Sequence, residues 1–231
     1  MIVNTYDANT MSIAERIQRT RGELPSDCQL VAVSKTKPLS ALEDAYEAGI
    51  RDFGENKVQE MVDKQAQMPA DCRWHMIGHL QRNKVKYLAS FITLIHSVDS
   101  IRLLKEIDKQ GSKVGRRIDC LLQVHIAQEE EKFGLSEKEL KTLIESEYVH
   151  QVKHVRIIGL MGMATFSDDP SLVRSEFKHL KNLYEQCKAL NLPDSVRMNQ
   201  LSMGMSGDYK IAVEEGSTMV RIGTTIFGAR K

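Results

Sequence analysis

The residue whose type and position best suit covalent chemistry is Lys35, which directly follows the apolar run at 30–34. Such a run is typical of a buried strand, and a lysine at its end is partly removed from water. Loss of water lowers the pKa of a lysine amine, and the neutral amine can attack an aldehyde to form an imine. Taken alone, a lysine is far more often a solvated ammonium group. Lys37, next to Pro38, is a competing candidate for the same role.

Two turns near the C-terminus combine glycines with hydroxyl side chains, after the seventh and eighth predicted strands. Hydroxyls and unobstructed backbone N–H groups are the usual ligands of phosphate. One such turn is more often only a tight turn, but two on neighbouring strands favour a phosphate site. The residues are Ser202, Gly204, Ser206 and Gly207 in the first turn, and Gly223 and Thr224 in the second.

Two further polar residues follow or end predicted strands. Arg221 alternates with Val220 and Ile222, so it can point into the interior, where its guanidinium needs an acceptor such as a pyridine nitrogen. An ion pair with a carboxylate such as Glu55 is an equally good interpretation. Asn56 either donates a hydrogen bond to a bound cofactor or caps the helix that follows it.

The elements that must position these residues alternate between short β-rich runs and segments of helical periodicity. That alternation indicates parallel strands joined by crossover helices. Eight units in 231 residues predict a single-domain (β/α)8 TIM barrel over residues 1–231. An open doubly wound sheet is the alternative, but no GxGxxG follows the first strand. The runs are LVAVS at 30–34, RDFGE at 51–55, RWHMIG at 73–78, TLIHSV at 93–98, DCLLQVHI at 119–126, HVRIIGLMG at 154–162, SVRMNQLSM at 195–203 and TMVRIG at 218–223.

Helix starts are predicted where capping residues precede periodic apolar segments. Two Ser–Glu pairs have capping-box spacing, one Asp–Pro pair suits an N-cap and first helical residue, and an extra helix is predicted before the first strand. These residues are Ser40 with Glu43, Ser136 with Glu139, Asp169 with Pro170, and, for the extra helix, Ile13 with Ile17.

The composition excludes several classes of protein. The 32 basic and 31 acidic residues nearly cancel and form no long basic stripe, so nucleic acid is not an expected partner. The densest basic group, Arg82, Lys84 and Lys86, is interpreted as a solvated helix face. There is neither a signal sequence nor an apolar segment long enough to cross a bilayer, which predicts a cytoplasmic protein. The cysteines lack CxxC spacing, and buried free thiols are favoured over disulfides or zinc: Cys28, Cys72, Cys120 and Cys187.

Long motifs resemble the pyridoxal 5′-phosphate (PLP) homeostasis protein family from about residue 30 to the C-terminus. They are VAVSKTKP, DFGENKVQE, WHMIGHLQRNK, HSVDS, GLMGMA, LSMGMSGD and GSTMVRIGTTIFGAR. The resemblance implies a barrel similar to the N-terminal domain of alanine racemase, with PLP as a Schiff base on Lys35 and Arg221 facing the pyridine nitrogen. It also implies that the phosphate is held by Ser202, Ser206, Gly223 and Thr224.

The fifth strand departs from the family pattern. It carries His125 and Ala127, where the family has an asparagine and a serine or threonine. The surroundings of the cofactor differ accordingly. His125 either stacks on or hydrogen-bonds near the pyridine ring, or packs under a loop, and it is left out of the predicted site.

The resemblance implies a carrier of PLP rather than an enzyme. Alanine racemase brings a tyrosine base over the cofactor from a second domain, and no residues are expected to remain for such a domain here. We therefore expect a monomer that binds PLP and delivers it to apo-enzymes that need it, with no membrane partner. The alternatives are an amino-acid racemase that uses Lys35 with His75 or His125, and a Schiff-base aldolase on the same barrel.

Overall fold

The computed structural model describes residues 11–128 and 133–229, and its centre is a closed barrel of eight parallel strands. The strands follow one another around the barrel in chain order, and β1 closes it by pairing with β8 from Gln29 opposite Met219 to Ala32 opposite Ile222. The predicted (β/α)8 barrel is confirmed, and the open sheet is wrong. The strands are β1 Gln29–Val33, β2 Asp52–Glu55, β3 Arg73–Met76, β4 Leu94–Val98, β5 Ile118–Gln123, β6 Val155–Met161, β7 Val196–Met205 and β8 Met219–Ile222.

Helices surround the barrel and cover its outer face. A 3-10 helix, Arg82–Tyr87, connects β3 to β4 and exposes the predicted basic group to solvent. The α-helices are α1 Ile13–Gly22, α2 Leu39–Glu47, α3 Val58–Gln65, α4 Ile101–Lys113, α5 Glu137–Ile144, α6 Glu147–Gln151, α7 Pro170–Lys188, α8 Tyr209–Glu214 and α9 Thr224–Phe227.

Most predicted helix starts are confirmed by their capping contacts. Ser136 and Glu139 form a capping box at α5, and Asp169 caps α7 with Pro170 as its first residue. The extra helix is α1, which begins with a second capping box at Ser12. The predicted start at Ser40 is wrong. Pro38 has the extended geometry of an N-cap residue, so α2 begins at Leu39, directly after it.

Apolar side chains pack on both faces of the strands, as expected for parallel strands covered by helices. The larger cluster lies between the barrel and its helices, with Phe53, Phe177 and Leu42 fully buried. A smaller cluster, called the inner cluster here, consists of Val31, Leu94, Leu121, Met161 and Met219. The remaining space inside the barrel is polar.

The strands β6 and β7 approach so closely at Gly159 that no side chain fits there. A Cβ at this position would lie 1.7 Å from the carbonyl oxygen of Gln200. The pairing of β6 with β7 shifts register between Ile157 and Gly159. A glycine is therefore required where the irregularity brings the two backbones together.

Two predictions concern the molecule as a whole. In the described parts of the chain, no helix combines the length and apolar character that a bilayer span requires. All four cysteines are free thiols, and the predicted burial is confirmed for Cys72, Cys120 and Cys187, whereas Cys28 is half-buried. Burial raises the pKa of each thiol, so none is a reactive thiolate at neutral pH.

Candidate functional site

Lys35 lies at the carboxyl end of β1, where its backbone is anchored from below by a buried polar cluster. The hydroxyl of Ser34 donates to Glu55 Oε1 over 2.6 Å, and Lys64 Nζ donates to the carbonyl oxygen of Ser34 over 2.8 Å. Lys64 also binds Glu55 Oε1 at 2.8 Å. Lys35 itself is half-buried at the barrel mouth. Its main chain is therefore held in place independently of its side chain.

The residue after Lys35 is held in an uncommon conformation. Thr36 has a φ of 64°, the left-handed region that β-branched residues rarely adopt. Its N–H donates to Glu60 Oε1 over 2.5 Å, and Glu60 is in turn bound by Lys64 at 2.7 Å. Such a conformation costs about 1–3 kcal/mol and persists only where the surroundings enforce it. The turn after Lys35 is thus held by Glu60, which is itself held by Lys64.

Lys37, the competing candidate, is committed elsewhere. Its Nζ donates to three backbone carbonyl oxygens, at 3.2 Å from Phe227, 3.0 Å from Gly228 and 3.1 Å from Ala229. These bonds use all three donors of the ammonium group. Lys37 is thus committed to the main chain, and Lys35 stays the predicted residue for the aldehyde.

Arg221 is inside the barrel, as strand alternation predicts, and is only 3% exposed. Its Nη1 donates to Ser202 Oγ over 2.6 Å and its Nη2 donates to the carbonyl oxygen of Gly162 over 3.0 Å. The alternative ion pair with Glu55 is wrong, because Glu55 is bound by Lys64 and Ser34 instead. Burial lowers the pKa of Arg221 to about 10, so the side chain stays charged at neutral pH.

The two predicted phosphate turns are in contact. Ser206 Oγ accepts from the backbone N–H of Gly223 over 3.1 Å and from that of Thr225 over 3.3 Å. Thr224 begins α9 between them and is exposed. A Cβ at Gly223 would lie 3.3 Å from the carbonyl oxygen of Val33, so this turn also touches the end of β1. The hydroxyl and amides that suit phosphate therefore lie beside the strand that carries Lys35.

Ser202 is placed differently from the other predicted phosphate ligands. It is fully buried, and its hydroxyl already has Arg221 and His96 as partners. This geometry favours a role in supporting Arg221 from inside the barrel over direct contact with the phosphate. Sequence reasoning could not separate the two roles, because Ser202 and Ser206 belong to the same small-residue motif.

Asn56 follows β2 and is half-buried. It does not cap the next helix, because the N-cap position of α3 is Lys57. A Cβ at Gly78, which follows β3, would lie 2.6 Å from the carbonyl oxygen of Asn56. The backbone at Asn56 therefore fits tightly against the neighbouring strand end, and its side chain remains a predicted cofactor contact.

The candidate residues form one arc at the barrel mouth. Asn56, Lys35, Gly223 and Ser206 follow the carboxyl ends of β2, β1, β8 and β7, which are neighbours in the closed barrel. Arg221 lies below this arc on β8. A lysine, a hydroxyl with backbone amides and a buried guanidinium are thus assembled on one side of the mouth, where (β/α)8 barrels have their binding sites.

A row of polar groups crosses the barrel interior below the site, and sequence reasoning missed two of its members, Asp52 and His96, as well as the contacts that join the row. Asp52 Oδ1 is 3.0 Å from His75 Nε2, and His75 Nδ1 is 3.0 Å from His96 Nε2. His96 Nδ1 is 3.1 Å from Ser202 Oγ, which is bound by Arg221. Histidines amid apolar residues on the third and fourth strands were the available signal. We call these five residues the interior chain.

His75 cannot serve as the second base that the racemase alternative requires. It is 1% exposed, and both of its ring nitrogens already have partners inside the barrel. His125, the other candidate base, is half-buried two residues after β5. Its backbone N–H donates to the carbonyl oxygen of Leu135.

Asp52 and Arg221, the two ends of the interior chain, are ionised, and His96 between them is neutral. Burial opposes ionisation of Asp52, but hydrogen bonds from Arg73 and His75 outweigh it and hold the pKa of this carboxyl well below its usual range. Arg73 binds both carboxylate oxygens of Asp52, at 2.8 and 2.6 Å. Burial holds the pKa of His96 well below the ordinary histidine value, and the nearby charge of Arg221 acts in the same direction.

The neutral state of His96 predicts a pH dependence of stability. In the unfolded chain His96 binds a proton as the pH falls below about 6.5, whereas the folded protein does not, so the unfolded state is favoured. The free energy of unfolding should therefore fall by up to about 1.4 kcal/mol per pH unit below that value because of this one group. The loss starts near the unfolded pKa and ends only below the lowered folded pKa.

Urea unfolding of the PLP-free protein at about pH 7.5 and about pH 5.5 measures this loss. His96→Asn should remove this component from the difference between the two conditions. His150→Gln, which removes an exposed histidine on α6, is the matched control and should keep the wild-type difference. An unchanged difference in His96→Asn would show that His96 does not carry the effect.

A closed barrel with a lysine, a hydroxyl-rich turn and a buried arginine at one mouth defines the class of alanine-racemase-like barrels. The family described as the N-terminal domain of alanine racemase matches residues 9–231. A pyridoxal phosphate homeostasis protein from Aquifex aeolicus is 40% identical over 225 residues, 95% of this chain and 96% of the relative. The chain therefore belongs to the alanine racemase N-terminal domain family and, within it, to the pyridoxal phosphate homeostasis proteins.

Solved structures give the same result. PipY of Synechococcus elongatus with PLP bound has a TM-score of 0.85 and 37% identity, over 94% of this chain and 100% of PipY. Alanine racemase from Bartonella henselae has a TM-score of 0.74 at 17% identity, over 96% of this chain but 59% of the racemase. The second likeness concerns the fold alone.

Proposed function

We propose that this protein binds PLP covalently through Lys35 and holds it for delivery, as a cytoplasmic protein of vitamin B6 homeostasis without turnover of its own. The observation that supports the proposal is the arc of strand ends: Lys35 follows β1, the turns at Ser206 and Gly223 follow β7 and β8, and Arg221 is buried on β8. The names of the relatives and the PLP bound to PipY support it.

The residues at the mouth fit the three chemical parts of PLP. Lys35 supplies an amine for the aldehyde, with loss of one water as its Nζ bonds to the aldehyde carbon. Ser206, Gly223 and Thr224 supply hydroxyls and backbone amides for the phosphate. Arg221 supplies a donor for the pyridine nitrogen, and Asn56 lies on the other side of Lys35. When bound, PLP supplies a reactive aldehyde on an electron-accepting ring.

Arg221 favours holding PLP over using it for amino-acid chemistry. A fixed cation next to the pyridine nitrogen disfavours a second positive charge there. The ring is then a weaker acceptor of electrons from a bound amino acid. Because His75 is sealed inside the barrel, it does not place a second base at the mouth. Apo-enzymes that need PLP are the proposed recipients, and the proposed state of the carrier is a monomer.

Four measurements on one preparation test this function. Purified protein loaded with PLP should show the visible absorbance band of a lysine-bound cofactor, and borohydride should fix the added mass on the peptide that contains Lys35. Amino acids in deuterated solvent should keep their α-protons. Loaded protein mixed with a PLP-requiring apo-enzyme should restore that enzyme's activity.

Each part of the proposal has its own contrary result. Absence of the visible band after PLP is added would refute the binding role. Rapid exchange of the α-proton would make the protein an enzyme, as in the racemase alternative. Failure of the loaded protein to restore the activity of the apo-enzyme would refute the delivery role.

A further inference from the structure

The interior chain connects β2, β3 and β4 on one side of the barrel with β7 and β8 on the other. Its members are 7%, 1%, 0%, 0% and 3% exposed from Asp52 through His75, His96 and Ser202 to Arg221. Each consecutive pair is within hydrogen-bonding distance. A buried row of polar groups is costly unless every member has a partner, so its completeness indicates a selected arrangement.

One direction of hydrogen bonding satisfies both ends of the interior chain. At one end Asp52 is ionised and can only accept, so His75 must carry its proton on Nε2. When Nδ1 of His75 accepts from the Nε2–H of His96, the other ring nitrogen of the neutral His96, Nδ1, accepts from the hydroxyl of Ser202.

At the other end Arg221 can only donate, so Ser202 must present a lone pair to it. A hydroxyl that donates its proton to His96 does present that lone pair. The arrangement with a proton on Nε2 of both His75 and His96 therefore satisfies both ends. No member is left with two donors or two acceptors facing each other.

We propose that His75 and His96 are positioning residues for Arg221: their fixed protons aim a lone pair of Ser202 at Arg221 and so hold the guanidinium under the cofactor site. This inference rests on the proposed function, because it assigns these side chains a role in binding PLP. Asp52 sets the direction of the chain from the opposite end of the barrel, and Arg73 keeps Asp52 ionised.

The position of Arg221 depends on hydrogen bonds to both terminal nitrogens of its guanidinium. Nη1 is bound by Ser202 and Nη2 by the carbonyl oxygen of Gly162. If the hydroxyl of Ser202 turned its proton toward Nη1, two donors would meet and the guanidinium would have to move. A small rotation of the planar guanidinium would break its contact with the pyridine nitrogen. The contacts that hold Arg221 inside the barrel should therefore affect the affinity for PLP.

A purely structural role would have different consequences. If the histidines only fill the interior, their replacement should lower stability and leave bound PLP unchanged. The inner cluster offers a matched control for that case, since Leu121 is fully buried inside the barrel and belongs to the apolar set. Leu121→Ala should destabilise the fold without disturbing the proton arrangement.

The first test needs no cofactor. In nitrogen-15 NMR spectra of the PLP-free protein, the imidazole signals of His75 and His96 should show a protonated Nε2 and an unprotonated Nδ1. A proton on Nδ1 of His96 would overturn the proposal, because His96 would then donate to Ser202 instead of fixing the direction of its hydroxyl proton. This result is independent of whether the protein binds PLP.

The second test compares variants for PLP affinity, for the wavelength of the bound cofactor's absorbance and for thermal stability. His96→Phe removes the acceptor for Ser202 and should weaken PLP binding about tenfold and shift the band. His96→Asn keeps an acceptor near the Nδ1 position and should restore most of the affinity. Leu121→Ala should lower the unfolding temperature while it keeps the wild-type band and affinity.

The outcomes separate this inference from the proposed function. Wild-type affinity in His96→Phe, or equal weakening in Leu121→Ala, would overturn the positioning role. If the wild-type protein itself shows no band with PLP, the proposed function fails. The NMR result would then still decide whether the interior chain has the direction inferred here.

Discussion

Lys35→Ala should abolish covalent capture of PLP, with complete loss of the visible band and of the borohydride-fixed mass. Lys35 is the lysine at the mouth beside the phosphate turns, whereas the ammonium of Lys37 is bonded to three carbonyl oxygens. Absorbance and peptide mass mapping after reduction measure the effect. Reversible binding through the phosphate turn should persist at lower affinity, because those contacts do not involve Lys35.

Lys37→Ala is the matched control for this experiment. It removes a lysine two residues away and should keep the band on Lys35, while it costs about 1–3 kcal/mol of stability through its lost hydrogen bonds. Reduction of PLP onto Lys37 in the wild-type protein, or capture that survives in Lys35→Ala, would show that the assignment of the amine is incorrect.

Gly159→Ala should prevent the protein from folding. The added Cβ would lie 1.7 Å from the carbonyl oxygen of Gln200. Because this oxygen belongs to the backbone, no rotamer change can relieve the clash. β6 and β7 would have to separate, which breaks the barrel, and we expect a loss of more than about 4 kcal/mol. The yield of folded protein and the midpoint of urea unfolding measure the effect.

Gly22→Ala is the control for the glycine substitution. Gly22 is the last residue of α1, and a Cβ there has no atom within 4 Å. Alanine in a helix should stabilise the protein by up to about 1 kcal/mol. If Gly159→Ala unfolds at the same urea concentration as the wild type, the close approach of β6 and β7 does not exist in solution.

The barrel was predictable from the sequence because buried parallel strands and amphipathic helices leave separate patterns along the chain. Lys35, Gly223 and Ser206 were predictable as neighbours for the same reason, since carboxyl ends of strands meet at one mouth. The start of α2 was mispredicted because the fixed geometry of Pro38 took precedence over the spacing of Ser40 and Glu43.

The partners of buried charges were not predictable. Glu55 could have bound Arg221, but Lys64 reaches it from the next helix, and only packing decides between the two. The interior chain was hidden because its contacts join β2, β3 and β4 to β7 across the barrel. Such contacts depend on the tilt and stagger of strands, which a linear pattern of residues does not encode.

The bonds from Lys37 to the carbonyl oxygens near Gly228 join residues 191 positions apart in the chain. They lie at the seam where the first strand meets the last, and the candidate site straddles that seam. During synthesis on the ribosome, Lys35 emerges early, but its phosphate turn emerges only with β8. With the proposed site, a nascent chain lacks the full set of cofactor contacts until β8 and the turn at Gly223 have been translated.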